Sequence, residues 1–160
     1  MMLSQPLASP DADSRMMAPR IASGPRILVV EDDDDLLSMV VEFLHEEGFD
    51  VTGRADTVSG LVRLMTVGAD VLVLDWKMSG LDGFDLLTTL RRCYPDVPVI
   101  FTTAYATPEI GSRALASGAF SFLPKPFRRE ELMSHVRGAI RFSGSGPDGG
   151  GGDPEPLGKS

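Results

Sequence analysis

The sequence predicts an α/β domain: one five-stranded parallel sheet with helices on both faces. Two observations predict it. Between residues 26 and 142, short apolar runs alternate with segments whose apolar residues recur at helical spacing, and the alternation repeats five times. The runs are apolar at almost every position, which suits strands covered on both faces by the intervening helices.

The first unit opens with Arg26 to Val30, a strand, followed by Leu37, Val40, Val41 and Leu44 on one helical stripe that Gly48 terminates. The second has a short strand over Asp50 to Gly53. Its helix is marked by Val58, Leu61, Val62 and Met65 and stops near Gly68. The third strand, Val71 to Leu74, is wholly apolar and precedes a helix carrying Phe84, Leu86, Leu87 and Leu90. The fourth runs from Val97 to Phe101, with Ile110, Ala114 and Leu115 on the helix that ends at Gly118. The fifth, Phe120 to Leu123, is followed by a helix with Leu132, Val136, Ala139 and Ile140. Right-handed crossovers leave few topologies for five such units, and the commonest is the flavodoxin-like order 2-1-3-4-5. In that order a ligand crevice lies beyond the carboxyl ends of the strands, at the switch point between the first and third.

The flanking segments read differently. Residues 1–25 show no helical or strand period, and residues 143–160 are rich in glycine and proline. The glycine- and proline-rich segment cannot bury enough apolar surface to offset its ordering entropy, and both ends are expected to be disordered around a domain at 26–142. Net charge is −8 for the chain and −6 for the middle portion, with no basic stripe, which argues against direct nucleic-acid binding. No apolar run approaches the roughly 20 residues of a membrane span, and the N-terminus lacks the apolar stretch of a secretory signal. The single cysteine, Cys93, excludes an internal disulfide. A cytoplasmic location with no membrane contact is the expectation.

The chemistry lies at the strand ends. The first strand runs into Glu31, Asp32, Asp33, Asp34 and Asp35, and the third into Asp75. These two strands flank the switch point, so their carboxylates converge. Like charges held close repel and call for a cation, and oxygen-only ligands on a rigid sheet edge suit Mg²⁺. Helix capping accounts for Asp34 and Asp35 and leaves Asp33 ambiguous. It does not account for Asp75, which follows four apolar residues. The fourth strand ends in Thr102-Thr103-Ala104, where a hydroxyl could meet a phosphoryl oxygen. The fifth ends in Leu123-Pro124-Lys125-Pro126-Phe127, where two prolines restrict the backbone around one ammonium.

Four segments together resemble the receiver domain of response regulators: Ile27-Leu28-Val29-Val30-Glu31-Asp32, Asp75-Trp76-Lys77-Met78-Ser79-Gly80-Leu81-Asp82-Gly83, Pro98-Val99-Ile100-Phe101-Thr102-Thr103-Ala104 and Lys125-Pro126-Phe127. Each is weak alone; their order at the ends of the first, third, fourth and fifth strands is specific. The resemblance implies that Asp75 accepts a phosphoryl group from a sensor histidine kinase. It implies that Glu31, Asp32, Asp75 and the backbone carbonyl of Lys77 hold Mg²⁺. Thr103 and Lys125 contact the phosphoryl group, Thr103 and Phe122 form the switch, and the bond preceding Pro126 is cis. Such a domain is a switch rather than an enzyme, assisting only its own phosphorylation and dephosphorylation. Its output is a protein-binding face, and a phosphorylation-dependent homodimer belongs among its expected forms.

Three outputs stay open: binding of a downstream target protein, relay of the group to a histidine phosphotransfer protein, and service as the receiver portion of a longer regulator or hybrid kinase. Departures from the family pattern are modest. Glu31 stands where Asp is frequent and keeps the charge; Ser79 replaces a frequent proline. Among the remaining polar residues, His45 and His135 read as solvated or packing histidines, Cys93 as structural, and Arg128 and Arg129 as a solvated face despite their unfavourable place at a helix start.

Overall fold

The structure, a computed structural model, describes residues 24–78 and 81–143. The expectations for residues 1–23 and 144–160 lie outside the described residues, and Ser143 belongs to the last helix rather than to the tail.

In chain order the elements are β1 (Arg26–Val30), α1 (Asp34–Glu46), β2 (Asp50–Arg54), α2 (Thr57–Thr66), β3 (Val71–Asp75), the short strands β4 (Lys77–Met78) and β5 (Leu81–Asp82), α3 (Gly83–Cys93), β6 (Val99–Thr103), α4 (Pro108–Ala116), β7 (Ser121–Pro124) and α5 (Arg129–Ser143). The five long strands form one parallel sheet ordered β2-β1-β3-β6-β7, the 2-1-3-4-5 arrangement expected. The antiparallel pair β4–β5 was not anticipated, because two residues per strand leave no periodicity to read.

Alternation along each strand sends successive side chains to opposite faces. Ile27, Val29, Val71, Val73 and Ile100 pack under α1 and α5 against Val40, Leu44, Leu132 and Val136. Leu28, Val30, Leu72, Leu74, Val99 and Phe101 pack on the other face against Leu64 of α2, Phe84 and Leu87 of α3 and Ala114 of α4. The helices start where their capping residues allow. Asp33, Asp56, Asp82 and Thr107 each accept a backbone N–H from the first turn that follows. Asp33 is therefore the N-cap of α1, with Asp34 and Asp35 in its first turn.

The face that α2 buries was left open by the sequence, and the reading of Cys93 needs correction. The residues that marked α2 do form a helix, but Val58, Val62 and Met65 face solvent, 68, 53 and 71% exposed, while Thr57, Gly60 and Leu64 are buried. Apolar residues at helical spacing occur on both faces, so periodicity alone could not choose between them. The close approach of α2 to β1 decides it: a Cβ on Gly60 would lie 2.7 Å from Cγ2 of Val30. Cys93 is also exposed rather than packed.

Arg129 opens α5 where the helix dipole disfavours a cation. Instead of a solvated face it finds the acidic end of α1, with Glu46 at 2.6 Å and Glu47 at 3.0 Å, and Arg137 adds a contact to Glu47 at 2.9 Å. The Arg129 guanidinium also lies over the Phe43 ring, 5.2 Å from its centre. These contacts tie α1 to α5 along the outside of one face.

Candidate functional site

Asp75 is the last residue of the fully buried central strand β3, paired in register with Thr102 of β6. The backbone N–H of Trp76 donates to the Thr102 carbonyl at 2.8 Å, which fixes the chain just beyond it. Next door, Glu31 follows β1 directly, and its N–H donates to the Arg54 carbonyl at 3.0 Å. On the other side the Lys125 N–H donates to the Thr103 carbonyl at 2.7 Å, and the Lys125–Pro126 bond is cis. Adjacent strand ends thus set the positions of all three side chains.

Carboxylate oxygens of Glu31, Asp32 and Asp75 lie within 4.8 Å of one another; Glu31 and Asp75 are buried and Asp32 is exposed. Lys125 Nζ reaches between the buried pair, 2.6 Å from Glu31 Oε2 and 3.2 Å from Asp75 Oδ1. Burial pushes the Glu31 carboxyl up; the hydrogen bond from Lys125 opposes this, the Asp75 charge adds to it, and the result is about 7. Burial pulls the Lys125 ammonium down, but the Glu31 hydrogen bond and the Asp75 charge outweigh it and hold the group above its usual range. Three carboxylates that converge on one point fit a small divalent cation such as Mg²⁺, which receiver domains generally bind.

Thr103 is fully buried at the end of β6, and its Oγ accepts the Tyr105 N–H at 2.9 Å. Phe122 lies half-buried in β7, in register with Phe101 and against Gly111 of α4. Lys77 lies in β4, two residues past Asp75. Sequence reasoning missed an aromatic group beside the acidic cluster. Trp76 packs at 5.5 Å from Phe84 and edge-on at 6.1 Å from Tyr105, and the Arg113 guanidinium sits 4.0 Å above the Phe84 ring. Gly83 permits this closeness, since a Cβ there would lie 2.5 Å from the Trp76 carbonyl oxygen. These residues come from four separate places in the chain, so no local spacing announces the group.

The sequence matches the family described as response regulator receiver domain over residues 27–137. The chain belongs to that family. Among curated proteins it is similar to the transcriptional regulatory protein TrcR of Mycobacterium tuberculosis, 36% identical over 118 residues, covering 74% of this chain and 46% of the relative. Among solved structures it is similar to the receiver domain of the Francisella response regulator 1452, with a TM-score of 0.70 and 34% identity over 74% of this chain and 98% of that one. A CheY-like receiver domain from Methanospirillum hungatei superposes with a TM-score of 0.72 at 26% identity, over 77% of this chain and 98% of that one. The chain spans about half the length of the curated relatives it matches. Receiver domains and these relatives are regulators rather than classical enzymes, and receivers generally work with histidine kinases. The relatives named as transcriptional regulators limit the expectation drawn from acidic charge: it describes this domain's surface, not the proteins in which such domains serve. No helix among the described residues is long and apolar enough to cross a membrane.

Proposed function

We propose that this receiver takes a phosphoryl group from a sensor histidine kinase onto Asp75. The observation that carries the reading is the placement of the Asp75 carboxylate, buried at the end of the central strand with Lys125 Nζ 3.2 Å away and two further carboxylates beside it. In the transfer an Asp75 oxygen attacks the phosphorus of a phosphohistidine. The P–O bond forms as the P–N bond breaks, and the imidazole leaves with the electron pair. Glu31, Asp32, Asp75 and the Lys77 carbonyl would hold Mg²⁺, which when bound offsets negative charge on the transferring group. Lys125 already touches Asp75 and needs only to turn to meet a phosphoryl oxygen.

Thr103 couples the site to the surface. Its Oγ holds the Tyr105 N–H, so a Thr103 hydroxyl that turns toward a phosphoryl oxygen gives up that bond and frees the start of the β6–α4 connection. Phe122, half-buried against Gly111 of α4, follows inward. The faces of α4, β7 and α5 then favour their partner-binding form, whether the partner is a target protein or a second copy.

Of the three outputs left open by the sequence, the relatives favour the third, a receiver governing a longer transcriptional regulator. The experiment for the core reading is phosphoryl uptake from acetyl phosphate with Mg²⁺, followed by intact mass. One metal-dependent adduct, absent from Asp75→Asn, supports it; an adduct that persists in Asp75→Asn overturns it.

A further inference from the structure

The outer face of α2 is an anomaly. Val58, Val62 and Met65 stand at i, i+4 and i+7, which aligns them on one stripe, and they are 68, 53 and 71% exposed. Scattered apolar residues on a surface are ordinary, whereas three large ones in a row mark a place where something packs. Beside the stripe runs a shallow cleft of about 460 Å³, lined by Val58 and Val62 and rimmed by Arg54, Asp56 and Arg63. This face plays no part in the acceptor site, whose side chains come from the loop after β1, the ends of β3 and β6, and the loop after β7.

The chain itself enters the domain near one end of this stripe. Arg26, the first residue of β1, donates from its guanidinium to the Val67 carbonyl at 2.6 Å, at the C-cap of α2. Met65 is two residues away from that anchor. The segment before β1 reads Met16-Met17-Ala18-Pro19-Arg20-Ile21, with three large apolar residues in six. A ten-residue helix is about 15 Å long, and the six residues 16–21, when extended, span up to about 20 Å, so they can run the length of the stripe. A segment running from β1 back along α2 would bring Asp13 toward the end bearing Arg54, opposite in sign. Being tethered, it meets the stripe at high effective concentration, so a weak contact suffices.

We propose that residues 16–21 of this chain dock on the Val58–Val62–Met65 stripe, as an intramolecular cover for α2. Apolar contact from Met16, Met17 and Ile21 supplies the attraction, and methionine suits a surface without a deep pocket. Displacement of the segment by a partner then exposes an apolar helix face away from the phosphoryl switch.

The test is paramagnetic relaxation in the full chain. A nitroxide is placed at Ala18→Cys in a Cys93→Ser background, and amide signals are compared along α1, α2 and α5. The expected result is broadening concentrated in α2, reduced at least threefold by Val62→Asp. Broadening that is absent from α2, or equal across the three helices, overturns the proposal. A mixture of labelled and isotopically enriched copies separates the remaining occupants: α2 broadening between chains as strong as within one makes a second copy the cover and overturns the intramolecular reading. A Val62→Ser variant carries the comparison if Val62→Asp fails to fold.

Discussion

At the scale of single residues, the two ambiguous acidic positions now part company. Asp33 caps α1 by accepting the Leu36 N–H at 3.1 Å, whereas Asp32 contributes to the carboxylate cluster. Asp33→Ala is expected to lower unfolding free energy by about 1 kcal/mol while leaving Mg²⁺-dependent phosphorylation intact. Asp32→Ala should do the reverse, and urea unfolding beside an uptake assay checks both. His135 carries a pH dependence. Its Nδ1 lies 2.8 Å from Ser121 Oγ, and burial holds its imidazolium below the ordinary value of 6.5, with Glu131 pulling partly the other way. A base depressed in the folded state takes up its proton first in the unfolded chain. The stability tied to it is therefore whole above pH 6.5 and is lost as pH falls below that, until the folded ring also protonates. His135→Gln should flatten the pH dependence of the urea midpoint between about pH 7.5 and 5.5; an unchanged profile would remove His135 as a cause.

At the scale of elements, α2 carries the clearest lesson about what a sequence makes legible. Its existence and span followed from helical spacing, but the side that meets the sheet did not, because Val58/Val62/Met65 and Leu61/Leu64 are both apolar pairs or triplets at helical intervals. Gly60 was the overlooked signal: a glycine inside a helix is costly unless a neighbour needs the space, and Val30 of β1 occupies it. Gly60→Ala should cost about 1–3 kcal/mol through this clash, despite the better helix propensity of alanine. A more stable variant would show that α2 is less tightly seated. The α1–α5 link was illegible for another reason: Arg129 and Glu47 are 82 positions apart, and nothing local pairs them. Exposed ion pairs are screened by salt, so Glu47→Gln should lower the thermal midpoint at low ionic strength and have little effect near 1 M NaCl.

At the scale of the whole molecule, the order of the strands did most to find the site. Once five strands are arranged 2-1-3-4-5, the ends of β1 and β3 become neighbours, and the acidic residues on each acquire a common address. Glu31, Asp32 and Asp75 were readable as one cluster from topology alone, and Lys125 joined them through its place after β7. What stayed hidden was how the charges settle: which carboxylates burial would strain, and that Lys125 would lie between Glu31 and Asp75 instead of standing in solvent. The packing of Trp76, Phe84, Tyr105 and Arg113 also needed three dimensions. The central claim remains that Asp75 carries the phosphoryl group, and an acyl phosphate leaves a mark that can be read residue by residue. Borohydride reduces an aspartyl phosphate to homoserine. After phosphorylation with Mg²⁺ and acetyl phosphate, reduction and peptide mass spectrometry should find homoserine at position 75, with Asp32, Asp33 and Asp82 unchanged. Homoserine at one of those positions, with Asp75 intact, would contradict the account.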